Sequence, residues 1–195
     1  MRAPFDKYMR ALSAMLCGLA LGFAVTAATL KGGYGFGALR VGPWTAWPHA
    51  GGPDIDPYAR AALAQRGEAP LGLDEGLMFV ASADSAGGPL DSRCDYRISD
   101  PPPPARFWTL GLASPLGAPL ANPAERYGYT SADILRREGG AFDLDISREA
   151  RPRNWLSPGE ATTFVLVLRL YETPLDTTAR LDPARFLKIV KLGCE

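Results

Sequence analysis

The polarity pattern divides the chain into two unlike parts. From Ala11 to Leu30 the sequence reads ALSAMLCGLALGFAVTAATL, twenty consecutive uncharged and mostly apolar residues. At 1.5 Å per residue, a helix of this length crosses a hydrocarbon core about 30 Å thick. Beyond it, apolar residues recur in short runs and alternations. RCDYRIS alternates, with Cys94, Tyr96 and Ile98 on one face and Arg93, Asp95 and Arg97 on the other. AFDLDIS repeats the pattern, with Phe142, Leu144 and Ile146 inward and Asp143, Asp145 and Ser147 outward. Leu77 to Ala83 and Arg106 to Ala113 read as further strands, and FLKIVKL as a last strand or a short helix. Thr162 to Tyr171 is apolar on both faces except at Arg169, the pattern of a central strand covered on both sides.

Helix signals after Leu30 are few. Asp56 is a good N-cap, Pro57 suits the first helical position, and YARAALAQR has helix-forming composition up to Gly67. Thr130 or Ser131 can cap a helix of one or two turns over ADILRR, closed by Gly139 and Gly140. Pro101 to Pro104 lacks ladder donors and reads as a stiff extended connection. Short strands between turn signals predict a mainly β chain built as an antiparallel β-sandwich. The expected organisation is a basic tail (1–10), a membrane segment (11–30), a linker, docking arm and short helix (31–76), and the sandwich (77–195).

Arg2, Lys7 and Arg10 precede the apolar run against one acid, Asp6. That balance holds the N-terminus in the cytoplasm and sends the rest outward. The run reads either as a retained signal anchor or as a cleaved signal peptide, with Val25 and Ala27 as the small residues before the cut. Gly18 and Gly22 make a small-xxx-small face of the kind that packs against another membrane helix. The expected location is the bacterial inner membrane, with the C-terminal part in the periplasm.

Charge and composition narrow the function classes. Lys+Arg and Asp+Glu both number 21, and without a basic excess nucleic acid is not an expected partner. The 21 glycines and 18 prolines are scattered as turns. Cys94 and Cys194 lie beyond the membrane segment, and in an oxidising compartment their pairing as a disulfide is the stronger reading. The rivals are metal binding or a thiolate nucleophile. Zinc takes three or four ligands and a thiolate takes a base, and the chain has one imidazole, His49. No metal or cofactor is expected.

The candidate binding residues are Arg169, Arg106 and His49. Arg169 interrupts an apolar strand, where a charge needs a partner or a path to water, and an acid on the neighbouring strand is the expected partner. Arg106, Arg93 and Arg97 put guanidinium groups on strands, able to take an anion or to line the wet face of the sheet. His49 is the chain's one imidazole, a side-chain type suited to general-base work, but spacing identifies no nucleophile and orienting acid beside it. Asp143 with Asp145, and Asp54 with Asp56, place carboxylates two apart. Strand alternation explains the first pair, and helix capping explains the second.

PPPPARFWTLGL, NPAERYGYTSADI, GAFDLDIS and RPRNWLSPGEATTFVLVLRLYETP follow one another in this order. Together they resemble the bacterial family called domain of unknown function 1214. Its more specific marks here are Phe107 and Trp108, the turn with Asn122, Pro123, Arg126 and Tyr127, and the turn with Asn154, Trp155 and Leu156. The resemblance implies a jelly-roll β-sandwich. It also implies that larger relatives carry a companion domain, numbered 1254. This chain then resembles the compact membrane-anchored form, with the companion either absent or supplied by a separate protein. The family brings no established activity or catalytic residues. The functional expectation is therefore a membrane-anchored binding or interaction module. The alternatives are an enzyme, for example a hydrolase, with its site at one end of the sandwich, and a carbohydrate binder using Trp44, Trp47, Trp108 and Trp155 as a platform.

Overall fold

A computed structural model describes residues 3–31, 37–66, 70–72, 74–100, 103–175 and 182–194. Most of the joint after the apolar run, and the first half of the proline block, lie outside the described residues. The apolar run forms helix α1 (Ala3–Lys31). Its 23-residue span Lys7–Thr29 has a mean hydropathy of 2.0, and none of it is buried against the rest of the protein. The expected soluble helix is α2 (Pro57–Arg66). Asp56 caps it, since its Oδ1 accepts from the backbone N–H of Tyr58 and of Ala59. Ala59 and Leu63 of α2 form a small satellite core with Trp47, Ala50 and Ile55.

The remaining described elements are β1 (Leu39–Val41), β2 (Trp44–Ala46), β3 (Gly76–Ala81), β4 (Cys94–Asp100), β5 (Phe107–Ala113), β6 (Gly128–Thr130), β7 (Phe142–Ile146), β8 (Asn154–Leu156), β9 (Val165–Tyr171) and β10 (Lys188–Cys194). They build two sheets, one in the order β1-β2-β3-β9-β5-β6 and one in the order β10-β4-β7-β8. One correction to the expected antiparallel architecture concerns β7 and β8, which pair in parallel, Leu144 opposite Asn154 and Ile146 opposite Leu156. Parallel pairing requires a crossover, and residues 147–153 supply it. The jelly-roll arrangement remains an expectation of the resemblance; sheets of six and four are what the strands form.

The inner faces of both sheets share one core. Leu166, Leu168 and Leu170 of β9 are fully buried with Phe79 of β3, Leu110 of β5, and Tyr96, Ile98, Leu144 and Ile146 of the smaller sheet. Aromatic side chains join the layers. Trp108 stacks on Phe142 with centroids 5.2 Å apart, and Tyr96 meets Phe164 edge-on at 5.9 Å. The other face of β9 is covered less completely. Val165 and Val167 form a separate apolar cluster with Ala113, Met78 and Val80.

The disulfide joins Cys94 to Cys194, which sit directly opposite each other on β4 and β10. The sequence alternatives of metal ligand or nucleophile are thereby removed for these two residues. Cys17 is the free cysteine, exposed on α1.

The helix expected over ADILRR does not form. Residues 131–133 make a turn instead. Both backbone groups of Leu135 are taken by one side chain. Asn154 accepts from the Leu135 N–H at 2.8 Å and donates to the Leu135 carbonyl at 2.7 Å. A helix would need those groups for its own ladder, so the tertiary clamp displaces the local preference.

At the start of β4, Arg93 forks onto Asp91, with Nη2 to Oδ2 at 2.6 Å. The side-chain and backbone hydrogen bonds from Arg93 hold the Asp91 carboxyl at about 2, below its ordinary 3.8. A lowered folded-state value means the contribution to stability is present above the unfolded value and is lost as pH falls through about 2. A carbon-detected NMR titration of Asp91 should give that midpoint, and in Arg93→Gln the midpoint should return toward 3.8. An unchanged midpoint in the variant would remove Arg93 as the cause.

Candidate functional site

The sequence candidates do not converge. His49 sits exposed in a short 3-10 turn, Pro48–Gly51. It lines a cleft of about 280 Å³ with Trp47, Asp54, Ile55, Asp56 and Ala59 among others, and among the described residues no Ser, Thr, Cys or Lys lines it. Arg106 is exposed and forks onto Glu172, Nη1 to Oε2 at 2.9 Å. That pair is solvent-facing and contributes little. Arg169 lies half-buried on β9 between Met78 of β3 and Thr109 of β5. Both neighbours are uncharged, so the expected cross-strand acid is absent, and Arg169 has no ion pair among the described residues.

The polar face of the smaller sheet explains the paired acids. Arg97 forks onto Asp145 at 2.7 and 3.0 Å, Arg137 approaches Asp143 at 3.2 Å, and Arg151 bonds Asp95 at 2.6 Å. Each carboxylate of Asp143-x-Asp145 is matched by its own arginine. Among the described residues no group of three or more His, Cys, Asp or Glu is placed to hold a metal ion.

The tryptophans act mainly as anchors. Trp44 and Trp108 are buried, while Trp47 and Trp155 are half-buried. Trp155 donates its indole N–H to the Ser147 carbonyl at 2.9 Å. None of these four is a freely exposed indole face, which removes the main support for a sugar platform.

Some marks of the family resemblance meet where β6 of the larger sheet approaches β8 of the smaller one, while Phe107 lies apart on the larger sheet. The Tyr129 hydroxyl accepts from the Trp155 N–H at 3.1 Å, and the Arg126 guanidinium lies over the Tyr129 ring at 4.8 Å. Asn122 closes its own turn by donating to the Leu120 and Arg126 carbonyls. Asn154 is buried, and besides clamping Leu135 it donates to the Asp143 carbonyl at 2.8 Å. One amide therefore ties three segments together: the 131–137 turn, β7 and β8.

Beside that clamp is an open cleft of about 450 Å³, lined by Leu135, Arg136, Arg137, Glu138, Asp143, Arg153 and Asn154. Arg136 is held in place. Its Nη1 donates to the Gly140 carbonyl at 3.0 Å, its Nη2 donates to the Ser131 carbonyl at 3.1 Å, and the guanidinium lies 5.8 Å from the Trp108 ring centroid. Three arginines around one cleft can bind an anionic group; they supply no nucleophile. Sequence reading passed over them. The sequence pattern puts Arg136 and Arg137 on a helix that does not form, and it does not set Arg153 apart. The available signal was the arginine content of two neighbouring motifs, ILRREGG and RPRNW.

Asn154→Leu keeps the volume and removes all three hydrogen bonds. It should cost about 1–3 kcal/mol, the price of leaving buried backbone groups unpaired. Hydrogen exchange at Leu135 should accelerate more than exchange in β9. Equal protection in the variant would show that Asn154 does not hold the turn.

A two-sheet β protein with one cross-strand disulfide and an N-terminal apolar helix is the class these features define. The chain belongs to the family of proteins of unknown function DUF1214, whose model matches residues 75–175. A comparison with curated proteins finds no match. Among solved structures, the chain is similar to the VPA0106 protein from Vibrio parahaemolyticus, with a TM-score of 0.55 and 19% identity, over 71% of this chain and 36% of that one. It is also similar to a putative uncharacterized protein from Burkholderia cenocepacia, with a TM-score of 0.40 and 20% identity, over 64% of this chain and 32% of the other. The chain thus spans about a third of the length of the structures it matches. The first likeness supports the fold alone.

Proposed function

We propose that this protein is a bacterial envelope component, held in the inner membrane by α1 with its N-terminus in the cytoplasm. Its β domain faces the periplasm and acts as a binding or interaction module. The observation that carries the reading is the span Lys7–Thr29, apolar and with none of its residues buried. Such a surface suits a hydrocarbon surrounding. Arg2, Lys7 and Arg10 favour the cytoplasmic side for the N-terminus. The disulfide favours an oxidising compartment for the β domain. From Lys31 to Leu39 the chain can reach at most about 30 Å, so the domain stays near the membrane.

The surface for a protein partner is the outer face of the larger sheet. Phe107 is 38% exposed there and meets Tyr171 of β9 at 5.8 Å, with half-buried Met78 and Val80 on β3, across β9. Trp47, before α2, and Leu63 of α2 line a cleft with its Gly76–Met78 end. A separate protein supplying the part that longer relatives carry on one chain fits this face.

The test has two readouts. Carbonate-washed membranes should retain the intact chain, with the mass of the uncleaved N-terminus. A photo-crosslinker at position 107 should capture one defined protein in cells, while one at exposed Arg148 should not. A soluble chain cut near Ala27 sinks the anchor, and no position-specific adduct sinks the interaction face.

A further inference from the structure

We propose that the cleft beside the Asn154 clamp binds a small organic molecule through a single carboxylate. The proposal stands apart from the membrane reading, since it concerns another face and a different kind of ligand.

The cleft, about 450 Å³ in volume, is in the size range of small-molecule sites. Its donors are preorganised. Arg136 is fixed by two carbonyls and the Trp108 ring. Each of its two Nη atoms has a second hydrogen to offer, and Nε–H adds another. Arg137 is braced by Asp143 at 3.2 Å. The segment carrying both is locked by Asn154.

Arg153 is the decisive residue. Its backbone is left-handed, with φ of 69°, a conformation that glycine adopts freely and a branched Cα does not. The protein itself offers its side chain nothing in return: Arg153 forms no ion pair or side-chain hydrogen bond among the described residues. An exposed guanidinium held at such a position, on the rim of a cleft with two fixed guanidinium groups, suits an external anion. Planar carboxylates fit the guanidinium fork in bidentate fashion.

Charge decides between anions. Three arginines face Glu138 and Asp143 across the lining, an excess of one positive charge. A monoanion neutralises it, and a dianionic phosphate overshoots it. Leu135, 60% exposed at the same cleft, offers an apolar wall for the ligand body.

The test uses the full chain in detergent micelles, with benzoate as the probe and benzamide and inorganic phosphate as comparators. Binding is read from the arginine Nε–H signals and the Leu135 methyl signals. Benzoate should shift those of Arg136, Arg153 and Leu135 saturably, benzamide should not, and phosphate should bind more weakly. Arg153→Gln should weaken benzoate by about tenfold, the loss of one charge-assisted contact. Arg153→Gly should weaken it equally while raising the melting temperature, because glycine relieves the left-handed backbone. Equal shifts with benzamide, tighter binding of phosphate, or unchanged affinity in the folded Arg153→Gly variant would each overturn the proposal.

Discussion

Replacing Cys94 and Cys194 together by alanine should lower the stability of the β domain by about 4–5 kcal/mol. The bond closes a segment with a sequence separation of 100, so its removal releases the stretch from β4 to β10 in the unfolded ensemble. A domain of ordinary stability has only about 5–15 kcal/mol in hand, so the variant should lie near its folding threshold. The melting temperature should fall by roughly 10–15 °C, given about 2–4 °C per kcal/mol at this size. The effect should be largest in β10, an edge strand that pairs with β4 alone. There Ile189 is buried while Val190 and Leu192 are exposed. Reduced wild type measured in the same buffer should match the double variant. A loss under about 1 kcal/mol would mean that the unfolded chain is already restrained and that the entropy argument fails here.

The disulfide pairing shows what was legible in the sequence. Compartment chemistry and the scarcity of histidine pointed to it, and β4 was visible as an alternation, whereas the segment of β10 read equally as a strand or a short helix. The long strands read well for the same reason. β4, β7 and β9 each bury one face completely, so their alternation or apolar run is the direct trace of the core. The short elements were illegible. β1, β2, β6 and β8 have three residues each, too few for a period to register. The ADILRR turn was misread because the residue that forbids a helix there, Asn154, lies 19 positions from Leu135. The arginine cleft was missed for that reason as well. It exists only once Asn154 has drawn Arg136 and Arg137 toward Arg153, whereas Arg169 and Arg106, conspicuous in sequence, face uncharged neighbours or an exposed glutamate.

Trp44→Ala should be the most damaging single substitution in the arm, costing about 3–5 kcal/mol. Trp44 is fully buried although its strand has only three residues. Its ring meets Phe186 at 6.2 Å, and its indole N–H donates to the Leu187 carbonyl at 2.7 Å. It therefore joins the start of the described β structure to the segment just before β10, across 143 positions. Alanine would leave a cavity between the sheets and orphan that carbonyl. Trp44→Phe separates the two effects. It keeps most of the apolar contact and loses the hydrogen bond, so it should cost only about 1–2 kcal/mol. Both can be read by chemical denaturation of the full chain in micelles, with exchange of the Phe79 and Ala81 amides reporting on the sheet edge. If Trp44→Ala costs as little as Trp44→Phe, the arm is an appendage and the sheet proper begins at β3. If the larger loss is seen, β1 and β2 belong to the folding unit. The sheet proper then begins at Leu39, eight positions after the last residue of α1.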